Sequence, residues 1–207
     1  MTATTTRRDL LAAGASAAAA ATVLGTGRAN AATGTATATA DGVPPESDSN
    51  RIYRLLSAEL LVLFTYEHIL AGSILPAGAR RALSALRDQE HAHVHALKAK
   101  LVALGASAPP APASVAAADV DLARRDVKGR LGQLQGPQDA LRLLLAIERV
   151  VVGAYFVALT KFEDRRMIRL VMPMMANDAQ HEALIGELMY PTDPHKAVPF
   201  GLVQGVQ

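Results

Sequence analysis

From about Arg51 onward, apolar residues return every three or four positions, the period of a helix that buries one face. Four such stretches stand out. The first runs from near Arg51 to Ala71 and stops at Gly72, ahead of Pro76; the second runs from about Gly78 to Leu104 and is closed by Gly105. The third opens on Pro137, a residue suited to a first helical turn, and continues to about Phe162. The fourth spans Asp164 to Met189, with a kink or restart expected at Pro173 and Pro191 beyond its end. Two of the links are short and predict antiparallel hairpins. About thirty residues, beginning ASAPPAPAS, separate the second stretch from the third, enough to travel the length of a bundle. No strand alternation, Gly-rich phosphate loop or nucleophile elbow supports another class, so the prediction is all-α: a four-helix bundle of two antiparallel hairpins joined by a long crossover.

The first fifty residues follow a different pattern. Thr6-Arg7-Arg8-Asp9-Leu10-Leu11 has a twin-arginine arrangement, an Ala-rich run follows, and Ala29-Asn30-Ala31 supplies small residues at a cleavage-like spacing. Residues 1–31 therefore read as a twin-arginine signal peptide. The Ala and Gly content favours a removable signal over a retained anchor, and no stable membrane span is expected after processing. Export places the mature protein in the periplasm, at the cell envelope or outside the cell, with the twin-arginine machinery as a transient partner. Residues 32–49, rich in Thr, Ala, Gly, Ser and Pro, read as a flexible tether, residues 50–190 as the helical domain and residues 191–207 as a C-terminal tail. Cutting after Ala31 removes Arg7, Arg8 and Arg28 from the 21 basic residues and Asp9 from the 19 acidic ones, so the formal charges of the mature chain balance. The electrostatic footprint of a nucleic-acid binder is absent. With no cysteine, disulfides and thiolate metal sites are excluded.

The helical period also sorts the polar residues. With Glu90 at zero and about 100° per residue, Leu83, Leu86, Val94, Leu97, Leu101 and Leu104 fall within about 40° of it and His93 at about −60°. Asp88, His91 and His95 cluster on the opposite face. Of the three histidines in DQEHAHVHAL, only His93 looks inward. The same construction centres Glu59 among Ile52, Leu55, Val62, Leu63, Tyr66 and Leu70, and Glu148 among Leu141, Leu144, Val151, Val152, Tyr155 and Leu159. Around Asp178 lie Met167, Val171, Met174, Ile185 and Met189, with His181 one turn on. Each helix thus carries a carboxylate in its apolar face, and two add a histidine three residues later.

An ionised carboxylate in a dry core costs several kcal/mol even after relaxation. Four of them, without Lys or Arg on the same stripes, call for compensation. Two divalent cations supply it, because four carboxylates and two neutral imidazoles then leave the cluster uncharged. Oxygen-plus-imidazole ligation suits iron or manganese.

Residues from about 50 to 190 resemble the bacterial ferritin-like domain proteins, a family with exported and desiccation-related members. SAELLVLFTY, DQEHAHVHAL, AIERVVVGAY and ANDAQHEAL, in that order, carry the resemblance. It implies a ferritin-like four-helix bundle with a di-metal carboxylate site: Glu59 and Glu148 as terminal ligands, Glu90 and Asp178 as bridges, His93 and His181 as nitrogen ligands. Where the family has Glu in the last motif this chain has Asp178, one methylene shorter, and Glu182 on the same stripe is a substitute ligand.

Tyr66 and Tyr155 each follow a ligand candidate by two turns, as hydrogen-bond donors to it or as core filling. Asp88, His91 and His95 read as a solvated face rather than an external metal site, and the methionines of the fourth helix as packing. Leu60, Leu61 and Phe64 form a second apolar surface on the first helix, to be covered by the crossover or by a partner subunit in a homo-oligomer. The function expected is metal-based redox chemistry at a di-iron or di-manganese centre, such as ferroxidase-like oxidation of ferrous iron or reduction of dioxygen or peroxide. The alternative is a non-catalytic protective or interaction protein of the cell envelope. The two faces of the second helix give a direct check by metal analysis: His93→Ala lowers metal content, while His91→Ala and His95→Ala leave it nearly intact.

Overall fold

The computed structural model describes residues 46–197. The signal segment 1–31, the tether up to residue 45 and the last ten residues lie outside the described residues. Among the described residues six helices occur: α1 (Asp48–Ala71), α2 (Ala77–Ala103), α3 (Val115–Arg124), α4 (Pro137–Leu159), α5 (Arg165–Met189) and α6 (Pro194–Ala197), with a 3-10 turn at Leu131–Gln133. Among the described residues there is no strand, and no helix is long and apolar enough to cross a membrane.

Helix α1 begins three residues before Arg51, so part of the segment expected as tether is helical. Ser47 caps it, its hydroxyl accepting from the Asn50 N–H at 3.2 Å. Asp48 sits in the first turn, pairs with Arg51 at 2.8 Å and accepts the backbone N–H groups of Glu163 and Asp164. These polar residues lie outside the apolar period, which starts only at Ile52, and their helical state rests on capping and on the contact with residues 163–164. At its other end α1 presents carbonyls without intrahelical partners. Arg80 of α2 reaches back to the Leu70 carbonyl and, at 2.6 Å, to that of Gly72, which closes the first hairpin.

Helix α2 ends as Gly105 predicts, one residue early. Gly105 has φ +73°, and the Ala106 N–H returns to the Leu101 carbonyl at 3.0 Å. Leu104 falls in this cap and is 40% exposed, so it drops out of the inward stripe to which the helical period assigned it. Helix α4 stops at Leu159, short of Phe162, and Asp164 caps α5 through the Arg166 N–H at 2.8 Å. Helix α5 runs through Pro173 without the expected restart. The described part of the tail includes α6, which lies so close to α5 that a β-carbon at Gly186 would collide with the Ala197 carbonyl.

The hairpins α1–α2 and α4–α5 pack through an α1–α4 interface and a smaller α2–α5 one. Direction decides the topology. Glu59 meets Tyr155 and Tyr66 meets Glu148, so α1 and α4 run antiparallel. In an up-down-up-down bundle the first and third helices would be parallel. The crossover must therefore return along the full bundle, as its length allows. On the way it forms α3, capped by Ser114 and tied to the 3-10 turn by Asp119. Helix α3 packs on α1, and its Ala118 and Leu122 join the same buried cluster as Leu60 and Leu61. The crossover thus helps cover the second apolar face of α1, on which Phe64 stays half-buried.

Gly105→Ala checks the α2 cap. Nothing crowds a β-carbon there, so only the left-handed backbone is penalised; a loss of about 1 kcal/mol in chemical denaturation is expected.

Candidate metal centre

Glu59, Glu90, Glu148, Asp178 and His181 are no more than 1% exposed and His93 is 7% exposed, each within the apolar cluster of the bundle. Their ligand atoms fall into two groups, each spanning at most 4.8 Å: Glu59, Glu90, His93 and Asp178, and Glu90, Glu148, Asp178 and His181. Glu90 and Asp178 belong to both. His93 Nδ1 lies 3.2 Å from Asp178 Oδ1, and His181 Nδ1 lies 2.8 Å from Glu90 Oε1. The pairings 93–178 and 90–181 also show that α2 and α5 run antiparallel. The imidazole rings are nearly parallel, 17° apart in plane, with centroids separated by 6.3 Å.

The tyrosines cross over. Tyr66 on α1 donates to Glu148 Oε1 on α4 at 2.5 Å, while Tyr155 on α4 donates to Glu59 Oε1 on α1. Each phenol follows one carboxylate by two turns along its own helix and binds the other, because antiparallel neighbours bring position 59 to 155 and 66 to 148. Each terminal carboxylate is thereby held by one oxygen and keeps the other, Oε2, without a hydrogen-bond partner. Both oxygens of Glu90, both of Asp178 and the Nδ1 atoms of both histidines are likewise buried without a well-formed hydrogen bond among the described residues; these histidine nitrogens meet only carboxylates of the cluster, from 2.8 Å to 3.9 Å. Buried polar atoms are rarely left so. Eight of them aimed at one another fit a pair of cations: hard oxygen donors plus one imidazole nitrogen in each group.

Two residues outside the predicted set fix His181. Gln89 Oε1 accepts from Asn177 Nδ2 at 2.9 Å and from His181 Nε2 at 2.7 Å. Nε2 must then carry a proton, leaving Nδ1 as the face that meets the carboxylates. The helical period gave no signal for them, since Gln89 and Asn177 flank the inward stripes and are joined only by the approach of α2 to α5. Glu182, the substitute ligand candidate, is buried but belongs to neither group. It turns to Arg149 of α4, 3.4 Å away, and Asp178 takes the position between the two groups. On the outer face Asp88 pairs with Arg87 and His91 with Glu67, as a solvated surface does.

Burial pushes the Glu90 carboxyl well above its ordinary value, and Glu59 and Glu148 push the same way. Burial, then the Glu59 charge, raises Asp178 to about 7. Burial would raise Glu59, but the nearby His93 and Glu90 outweigh it and hold its carboxyl below the ordinary value. Burial would lower both histidines, but the carboxylates outweigh it: Asp178 first for His93, Glu148 first for His181, which rises to about 10. Burial lifts the phenols of Tyr66 and Tyr155 well above 10, so they remain donors. Without metal the cluster is therefore a store of protons.

The chain belongs to the ferritin-like domain family, whose family model matches residues 47–191. No curated protein and no solved structure matched the chain. Family membership and the buried group of Glu, Asp and His together define a ferritin-like protein with a cluster that can hold metal.

The raised groups set the pH behaviour of the metal-free protein. A carboxyl at about 7 in the native state and near its ordinary 3.8 when unfolded keeps its proton only in the native state between those values. Its stabilising contribution is full below the lower value and is lost as pH rises through the upper one. Metal-free protein is thus expected to melt lower at about pH 8 than at about pH 5, and Asp178→Asn to flatten this slope, in calorimetry across that range.

Proposed function

We propose that this chain is an exported ferritin-like protein whose bundle core holds two iron or manganese ions. Glu59 and His93 would serve one ion and Glu148 and His181 the other, with Glu90 and Asp178 shared. The observation that carries this reading is the set of eight unpartnered ligand atoms in two groups with two carboxylates in common. Bound there, the metals would supply redox chemistry, oxidation of ferrous iron with dioxygen or peroxide as the electron acceptor.

The chain's own part is preorganisation. Tyr66 and Tyr155 restrain the terminal carboxylates, Gln89 and Asn177 hold the His181 ring, and the apolar stripes exclude water. For the core to be neutral with two cations bound, Asp178, Glu90 and both imidazolium rings would give up protons. Export rests on the twin-arginine pattern at Arg7 and Arg8, a route for proteins that fold and load metal before leaving the cytoplasm. The non-catalytic alternative drew on the second apolar face of α1. Leu60 and Leu61 are buried and Phe64 is half-buried, which weakens that support, while the tether that also favoured the alternative lies mostly outside the described residues.

Metal analysis after supply of iron and manganese is expected to give about two ions per chain; well below one overturns the proposal. Loading is also expected to raise the melting temperature, since each site adds roughly 2.7 kcal/mol at free metal a hundred times its dissociation constant. The gap closes towards about pH 4, where protons displace metal. Glu148→Gln shrinks the gap without weakening the metal-free protein. Identical melting curves with and without metal would exclude a metal site.

A further inference from the structure

Away from the carboxylate cluster, a cavity of about 660 Å³ lies against α1 and α4. Five cations line it: Arg51, Arg54, Arg125, Arg149 and Lys161; Glu46 is the one acid in its lining. Between them the wall is apolar, with Leu55, Val150 and Val157 among its residues.

Three of the cations have acidic partners. Arg51 pairs with Asp48, Arg54 with Glu46 and Arg149 with Glu182. The other two do not, among the described residues. Arg125 Nη2 donates to the neutral Ser57 Oγ at 3.0 Å, and no carboxylate lies within ion-pair distance of Arg125 or Lys161. Arg51 is only 8% exposed, and its Nε is buried without a hydrogen-bond partner. Guanidinium groups withdrawn from water call for an anion. Burial lowers the Arg125 pKa from its ordinary value, and the Asp121 charge offsets this only in part.

We propose that this cavity binds a small amphiphilic anion, a carboxylate or phosphate monoester whose head meets Arg51 and Arg125 and whose apolar body lies along Leu55, Val150 and Val157. Its volume is that of a small-molecule site, roughly 300–1,000 Å³. A bare inorganic anion would leave the apolar wall wet, and a neutral hydrocarbon would leave Arg125 without an anionic partner. Only a ligand with both parts satisfies the lining. The site does not depend on metal in the bundle core.

The test is calorimetric titration of the purified full chain with octanoate, octanol, inorganic phosphate and vesicles of phosphatidylglycerol. Octanoate is expected to saturate at one per chain, at least about tenfold tighter than octanol or phosphate, the worth of one charge-assisted hydrogen bond. Arg125→Gln is expected to weaken octanoate by about tenfold and leave octanol unchanged. Lys161→Gln, on the exposed rim, gives a smaller loss of the same sign without risk to folding. Octanoate that binds no tighter than octanol, is unaffected by both variants, or fails to bind while vesicles do overturns the proposal.

Discussion

Four carboxylates inside an apolar bundle constitute the constraint on which the rest of this structure depends. Each would be expensive as an isolated charge. The protein surrounds them with the means of sharing that cost: two imidazoles within reach, two phenols as donors, and raised carboxyl pKa values that admit protons when no cation is present. The arrangement takes up protons and has the donor set to hold metal, so the charge state of the centre bears on the stability of the fold.

Topology turns that constraint into a near-symmetric site. A long crossover makes α1 antiparallel to α4, and α2 antiparallel to α5. Each helix of a pair then presents the same residue order to the other from opposite ends. The crossed pairs Tyr66–Glu148 and Tyr155–Glu59 follow directly, as do the reciprocal approaches of His93 to Asp178 and His181 to Glu90. The symmetry is imperfect where chemistry differs: Gln89, itself bonded by Asn177, holds His181, and among the described residues no such bond holds His93. Asp178, although shorter than Glu, lies between the two groups, and Glu182 is turned away by Arg149.

Much was legible in the sequence because burial of an amphipathic helix imposes a period that needs no knowledge of neighbours. The four long helices, their hairpin links, the inward direction of His93 against His91 and His95, and the carboxylate at the centre of each stripe all follow from it. Helix ends were less legible. Ser47 and Asp48 start α1 through caps and contacts with residues 163–164, and Leu104 is lost to the cap that ends α2, effects that a period averaged over several turns does not register.

By itself, the sequence determined which side chains face the core, since spacing along a helix is set by local backbone geometry. Only the tertiary structure decided which of them meet. The position of Asp178 in both groups while Glu182 meets Arg149, the exchange of tyrosines between hairpins, the Gln89 bridge to His181, the burial of Leu60 and Leu61, and the cationic cavity around Arg125 all depend on the placement of one helix against another. That placement arises from packing between residues tens of positions apart, and no single-helix periodicity encodes it.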